Sequence, residues 1–479
     1  MSDQTRISNW LPIDEIARRV NKGSLKAVDL VELSLKMIDE KKQYNAVIGI
    51  MEDRAKSRAV EIDSKVKNGE QAGRLAGVPF IAKDNFLTFG GETTAGSNIL
   101  RGFEAPYQST AIEMLEAEGA ICVAKANLDA FAHGGSTENS DFGTTLNPVD
   151  PTRVPGGSSG GSATSVALDI VPFALGTDTG GSCREPASFS GCVGYKPTYG
   201  LISRYGVVAM ASSTDVIGLL TSNSEETAYL LDILAGKDAK DATSIDRQDS
   251  YSLISSSSKQ IKVGVVKEFM GDGVDAGVRK VIVDAVEHLR KSGVEVVEVS
   301  IPSIDLALAC YYIIVPAEIS SNLSRYDGQR YGHSTSDASN LEASYAQSRG
   351  TGFNSENKRR IMIGTYVLSS GYYDAYYKKA AKLRTKLINE FMDAYKTVDF
   401  LIGPTAPSTA PKIGENSDDP LKMYLLDIMT VPVNLVGVPA ISIPCGSSDG
   451  MPVGLQIIGQ SRMDKELLEF AKQCEGALK

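Results

Sequence analysis

Lys262-Val263-Gly264-Val265-Val266 is a short β-branched run, and Val294 to Ile301 is another. Between them, Gly277 to Ser292 carries Val278, Ile282, Val286 and Leu289 on one helical stripe. The apolar period therefore changes from strand to helix and back, which is the signature of a β-α-β passage and of an α/β fold. The same alternation runs outward in both directions. Leu25 to Lys42 repeats apolar residues at Val28, Val31, Leu35 and Ile38, with Ser24 placed as an N-cap, and Arg54 to Val66 continues as helix. Val78 to Ala82, Ala120 to Ala124 (after a helical Ala111 to Glu118), Phe173 to Gly176 and Val207 to Met210 read as strands. Tyr372 to Tyr395 reads as a long helix, Phe400 to Gly403 as the strand after it, and serine-rich Ser252 to Lys259 as a loop. The pattern predicts a mostly parallel or mixed sheet covered by helices.

The chain has 479 residues, more than one core usually organises, so two domains or one large α/β unit is expected, with any junction in Gly236 to Ser258. A net charge of −10 argues against this chain gripping a nucleic-acid backbone alone, and Lys358-Arg359-Arg360 is its best local basic patch. Six cysteines at 122, 183, 192, 310, 445 and 474 lack CxxC spacing and read as reduced thiols, not as disulfides or a metal site. MSDQTRISNW has no apolar run after its basic residue, and no stretch approaches a membrane span. These features predict a cytoplasmic chain without membrane contact.

Two glycine-serine loops carry the chemistry: Gly156-Gly157-Ser158-Ser159-Gly160-Gly161-Ser162, and Thr177-Asp178-Thr179-Gly180-Gly181-Ser182. Glycines let backbone N–H groups crowd a ligand beside an exposed hydroxyl, the layout of a serine nucleophile with an oxyanion hole. Gly156, Ser158 and Gly160 also fit a nucleophile elbow, but that reading needs an acid and a histidine downstream, and His288 and His333 lie in very polar contexts. A phosphate cradle would need the Lys-Ser/Thr ending of a P-loop, which is missing. None of the three histidines (His133, His288, His333) is near either loop in sequence, so lysine is the better base. Lys83 closes the apolar run Val78-Pro79-Phe80-Ile81-Ala82, and burial there would lower its pKa.

Lys83, the first loop and the string Asp178-Thr179-Gly180-Gly181-Ser182-Cys183-Arg184 resemble the amidase signature family. Ser320-Ser321-Asn322-Leu323, Tyr326-Asp327-Gly328, Arg359-Arg360-Ile361-Met362, Ser369 to Tyr377 and Thr430-Val431-Pro432-Val433-Asn434 are similar to one branch of it, the glutamine-hydrolysing subunits of tRNA-dependent amidotransferases. The resemblance spans nearly the whole chain. It implies a single amidase domain over 1–479, with N-terminal helices in 1–70, a catalytic core in 71–235 and a β-α-β and substrate-recognition part in 259–479. It also implies a large central mixed β-sheet with helices on both faces.

Carried over residue by residue, the family pattern makes Ser182 the nucleophile, Ser158 (after a cis Gly157–Ser158 peptide) the bridging serine and Lys83 the base. The N–H groups of Thr179, Gly180, Gly181 and Ser182 form the oxyanion hole. Arg360 takes the α-carboxylate of glutamine, Asp427 its α-amino group, and Tyr311, or Tyr312 one position on, touches its side chain. The implied partners are the amidotransferase's B and C subunits, which complete a heterotrimer. ATP and magnesium are used by the partner, with no cofactor or metal in this chain. Misacylated tRNA, Glu-tRNA(Gln) or Asp-tRNA(Asn), is held mainly by the B subunit. A stand-alone amidase for small amides is the alternative. Two residues depart from the pattern: Cys183, which raises the question of a thiol nucleophile, and Glu185, whose charge is expected to raise the pKa of Lys83.

Overall fold

The computed structural model describes residues 10–248, 250–252, 260–415 and 420–479. Eleven strands form one mixed sheet: β1 (Val47–Ile50), β2 (Pro79–Lys83), β3 (Ile121–Ala126), β4 (Phe173–Asp178), β5 (Val193–Lys196), β6 (Val216–Thr221), β7 (Lys262–Val266), β8 (Glu295–Val299), β9 (Phe400–Pro404), β10 (Ala440–Ser448) and β11 (Met451–Ile458). Their spatial order is β1-β3-β2-β4-β6-β5-β10-β11-β9-β7-β8. β2 runs parallel to both β3 and β4, and β7 parallel to both β8 and β9, while the remaining pairs are antiparallel. Helices cover the sheet, as the alternation of periods predicts.

The β-α-β passage is observed as read: β7 and β8 pair in parallel, and the helix Ala276–Lys291 between them buries Val278, Ile282, Val286 and Leu289. Every residue of β2, β3 and β4 is buried, the burial expected of strands paired on both sides and covered by helices. Phe80 and Phe173, register partners on β2 and β4, stack with ring centroids 5.2 Å apart. β10 and β11 meet in an Asp449-Gly450 turn, both residues at positive φ, the geometry that matches strand twist in a two-residue hairpin.

Three expectations are corrected. The helix Ala27–Glu40 is not capped by Ser24, whose hydroxyl donates to the Arg19 carbonyl; the first amides, Ala27 and Val28, donate to the Asp63 carboxylate. Val207 to Met210 is not a strand: Val207 makes a single bridge to Phe86, and the Val208 amide donates to the Asn85 carbonyl, so this run ties down the segment after Lys83. The long helix starts at Tyr377, because Gly371 at φ 91° turns the chain and Tyr372 and Tyr376 pack back on Tyr366. Of the predicted loop Ser252 to Lys259, residues 253–259 lie outside the described residues.

Candidate active site

β2 and β4 are parallel neighbours, so their carboxyl ends open on the same edge, where open α/β sheets place ligands. Lys83 is the last residue of β2 and is fully buried. Its Nζ lies 2.7 Å from Ser158 Oγ, 2.9 Å from Ser159 Oγ and 3.0 Å from Thr177 Oγ1. Burial holds its pKa down at about 8, partly offset by the carboxylates of Asp129, Asp178 and Asp215. The Gly157–Ser158 peptide is cis. The first loop leads directly into the helix Gly160–Ala167, and the Ser159 amide donates to the Ser182 carbonyl at 3.1 Å, which joins the two loops.

The second loop leaves β4 and turns tightly into the helix Arg184–Ser190. Among the described residues, no protein acceptor meets the backbone N–H groups of Thr179, Gly180, Gly181 or Ser182. Four consecutive free donors make a concavity suited to a negatively charged oxygen. Its shape requires glycine: Gly181 has φ 141°, and a Cβ there would stand 2.2 Å from Thr430 Oγ1, while a Cβ on Gly180 would stand 2.7 Å from the Tyr311 hydroxyl. Ser182 sits beside these donors, and its hydroxyl makes no hydrogen bond to Ser158 among the described residues. Apo sites commonly hold such contacts long and tighten them when substrate arrives.

Arg184 anchors this turn from below. It meets Asp178 with two parallel bonds of 2.9 and 3.0 Å, and reaches Gln456 Oε1, Asn434 Oδ1 and the Thr430 carbonyl. Burial alone would push the Asp178 carboxyl up, but the guanidinium beside it holds it down to about 2. A buried arginine with its N–H donors engaged on several acceptors is a rigid strut.

Two packed helices supply the other wall. Ala307–Asn322 carries Tyr311 and Tyr312, and Ser355–Leu368 carries Arg360. They approach closely at Gly364, where a Cβ would stand 1.8 Å from the Pro316 carbonyl oxygen. Arg360 is buried and not part of a solvated basic face. Its Nε donates to Glu356 at 2.8 Å, and its guanidinium lies over the rings of Tyr312 and Tyr424, 5.3 and 5.5 Å from their centroids. These contacts fix the plane of the fork and leave its two Nη groups without a protein acceptor among the described residues. Asp427 stands on the short helical turn Leu426–Met429; burial pushes its carboxyl up to about 7, with Arg360 pulling the other way. Tyr311 and Tyr312 thus divide the work: the first covers the Gly180 turn and the second braces Arg360.

Both departures are resolved by burial. Cys183 is fully buried and its thiol is pushed well up, first by desolvation and then by Asp178, so it stays protonated and is a poor nucleophile. Burial outweighs the charges around Lys83, whose pKa lies below its ordinary value, and burial with nearby Asp427 pushes the Glu185 carboxyl itself well up. His133 is brought near Arg360 despite its distance in sequence, yet burial and that cation hold it neutral, and its Nδ1 meets Asn357 at 2.8 Å, not a serine. Ser159 and Thr177 lie inside the two loops quoted from the sequence but had no role beside the lysine there, and Asn85, two residues after Lys83, was missed. Sequence reasoning also missed Thr430 as the residue filling the space at Gly181, and Glu356 and Tyr424 as the braces of Arg360, for which no local pattern exists.

The sequence model of the family described as Amidase matches residues 29–468. The A subunit of glutamyl-tRNA(Gln) amidotransferase from Thermoanaerobacter pseudethanolicus is 50% identical over 472 residues, covering 98% of this chain and 96% of that protein. The protein of that name from Geobacillus thermodenitrificans is 50% identical over 468 residues, covering 97% and 96%. The crystal structure of the glutamyl-tRNA(Gln) amidotransferase A subunit from Thermotoga maritima superposes with a TM-score of 0.80 at 40% identity, over 96% of this chain and 93% of that one. With that family model matching most of the chain and these relatives alike over nearly its whole length, the chain belongs to the amidase signature family.

Proposed function

We propose that this chain is the glutamine-hydrolysing subunit of a tRNA-dependent amidotransferase and that Ser182, Ser158 and Lys83 carry out the hydrolysis. The observation that carries the chemistry is the buried Lys83–Ser158 contact of 2.7 Å next to four N–H donors that meet no protein acceptor among the described residues. Lys83 Nζ is surrounded by the Ser158, Ser159 and Thr177 hydroxyls, with the Thr177 carbonyl at 3.4 Å, and these contacts hold it against Ser158. In its neutral form its lone pair can accept the Ser158 hydroxyl proton.

In this reading Ser158 passes its proton to Lys83 and takes that of Ser182, whose oxygen attacks the side-chain amide carbon of glutamine. The oxyanion settles among the N–H groups of 179–182. The proton returns from Lys83 to the leaving nitrogen, ammonia departs, and a γ-glutamyl ester remains on Ser182. Water, activated by the same lysine relay, cleaves the ester to glutamate and restores the serine. The free fork of Arg360 suits the α-carboxylate by two parallel bonds, and the carboxylate of Asp427 suits the α-ammonium. The B and C subunits are the partners. Ammonia passes to the B subunit, where ATP and magnesium activate glutamate or aspartate carried on misacylated tRNA in the cytoplasm.

The test is Ser182→Ala in the assembled enzyme. Glutamine-dependent amidation of tRNA should vanish while amidation with added ammonium chloride persists. Undiminished glutamine-dependent product would make the chain a scaffold. Strong hydrolysis of simple aliphatic amides by the isolated wild-type chain, with little on glutamine, would make it a stand-alone amidase.

A further inference from the structure

Gly135 borders a spot that two acids face. Beyond the loop's own backbone, the nearest heavy atoms to the place its Cβ would occupy are Glu185 Oε2 at 3.5 Å, Glu185 Oε1 at 3.7 Å and Asp427 Oδ1 at 3.7 Å. Glu185 is fully buried; its Oε2 accepts from the Gly157 amide at 3.3 Å, and its Oε1 has no hydrogen-bond partner among the described residues. Among the described residues the only acceptor Asp427 uses within the protein is its backbone carbonyl, bonded by Thr430, so its carboxylate is free as well. A buried carboxyl oxygen without a donor is costly and calls for a partner that the folded chain does not supply. Reaction steps built on Lys83, Ser158 and Ser182 leave Glu185 without a task.

We propose that Glu185 joins Asp427 in a two-carboxylate subsite for the substrate's α-ammonium group and is thereby a specificity-determining residue. The inference rests on glutamine being the substrate. An ammonium has three N–H donors and no acceptor, and the converging oxygens of Glu185 and Asp427 offer it acceptors from two sides. Two carboxylates facing one point cannot both ionise cheaply, so without a cation between them one of the two favours keeping its proton. Around it, Asp129 and Asp178 add negative charge to both acids, the Gly157 amide favours ionised Glu185, and Arg360 and Arg184 favour ionised Asp427. An arriving cation displaces the proton. Glutamine binding is then accompanied by proton release, and an amide without the α-amino group gains nothing from the pair.

Calorimetry on the assembled enzyme carrying Ser182→Ala, at neutral pH in two buffers of different ionisation enthalpy, reads both effects. Glutamine should bind with release of up to one proton, and glutaramate, the same amide without its α-amino group, with none. Adding Glu185→Gln, which keeps an oxygen for the Gly157 amide, should abolish the release and weaken glutamine about tenfold, the worth of one charge-assisted hydrogen bond, while leaving glutaramate alone. Adding Asp427→Asn on its partly exposed turn should abolish the release independently. If either variant keeps the proton release, or Glu185→Gln keeps the preference for glutamine over glutaramate, the two-carboxylate subsite is wrong and glutamine remains the substrate. If the parent protein itself shows no preference for glutamine, the subsite and the proposed substrate fall together.

Discussion

Ammonia release from glutamine should climb with pH until Lys83 is neutral and then level off. Only the neutral amine can take the serine proton, and burial holds its pKa at about 8. At pH 7 about one lysine in ten is then ready, against roughly three in ten thousand for a side chain left at its ordinary value of 10.5. Desolvation therefore raises the neutral fraction by a factor on the order of 300 at neutral pH, roughly 3 kcal/mol. Below pH 7 the rate at saturating glutamine should fall about tenfold per unit, and above pH 9 it should be flat. The assay is coupled detection of ammonia by the assembled enzyme from pH 6 to 9.5, with Lys83→Arg alongside. Arginine cannot deprotonate in this range, so that variant should lose activity by at least about a thousandfold at every pH. A profile flat or falling between pH 6.5 and 8, or an arginine variant with a tenth of the wild-type rate, would refute lysine as the base.

Two other substitutions probe the frame. Gly181→Ala should cut kcat about 100- to 1,000-fold, because φ 141° strains alanine and its Cβ would stand 2.2 Å from Thr430 Oγ1, turning N–H groups away from the oxyanion; single-turnover ammonia release checks this against unchanged glutamine binding. Asp178→Asn should lower unfolding stability by about 3–5 kcal/mol in chemical denaturation, since it leaves the buried Arg184 cation uncompensated. The Asp178 carboxyl is lower in the folded chain (about 2) than its ordinary 3.8, so its stabilisation is complete above about pH 4 and is lost as pH falls towards 2; the variant should lack that acid-labile step.

Much of this architecture was legible because it rests on local rules. Val278, Ile282, Val286 and Leu289 mark a helix since one stripe must meet the sheet, and β2 and β4 read as short apolar runs because both their faces are buried. Glycines at 180 and 181 were legible as a donor-rich turn for a similar reason, although the side chains that exclude a Cβ there, Tyr311 and Thr430, were not. Contacts across long sequence separations leave no periodic trace. Arg360 sits in a basic string that reads as solvated helix, and only the docking of two helices at Gly364 buries it beneath tyrosines. Val207 to Met210 failed for the opposite reason: apolar residues suited to a strand make one bridge, to Phe86, and one amide bond to Asn85, and so tether the segment after Lys83.

Arg184 also sets a timetable for synthesis. Its partners Thr430, Asn434 and Gln456 lie 246, 250 and 272 residues further along the chain. At about 5–20 residues per second, a ribosome that has just made the nucleophile turn needs roughly 14–54 s to deliver the last of them. Until then the guanidinium has only Asp178, and the turn carrying Ser182 lacks the carbonyl and amides that hold it from below. The turn carrying Ser182 thus gains its full support only when the last part of the chain is in place, and a nascent chain released early carries Lys83, Ser158 and Ser182 without the contacts that hold that turn.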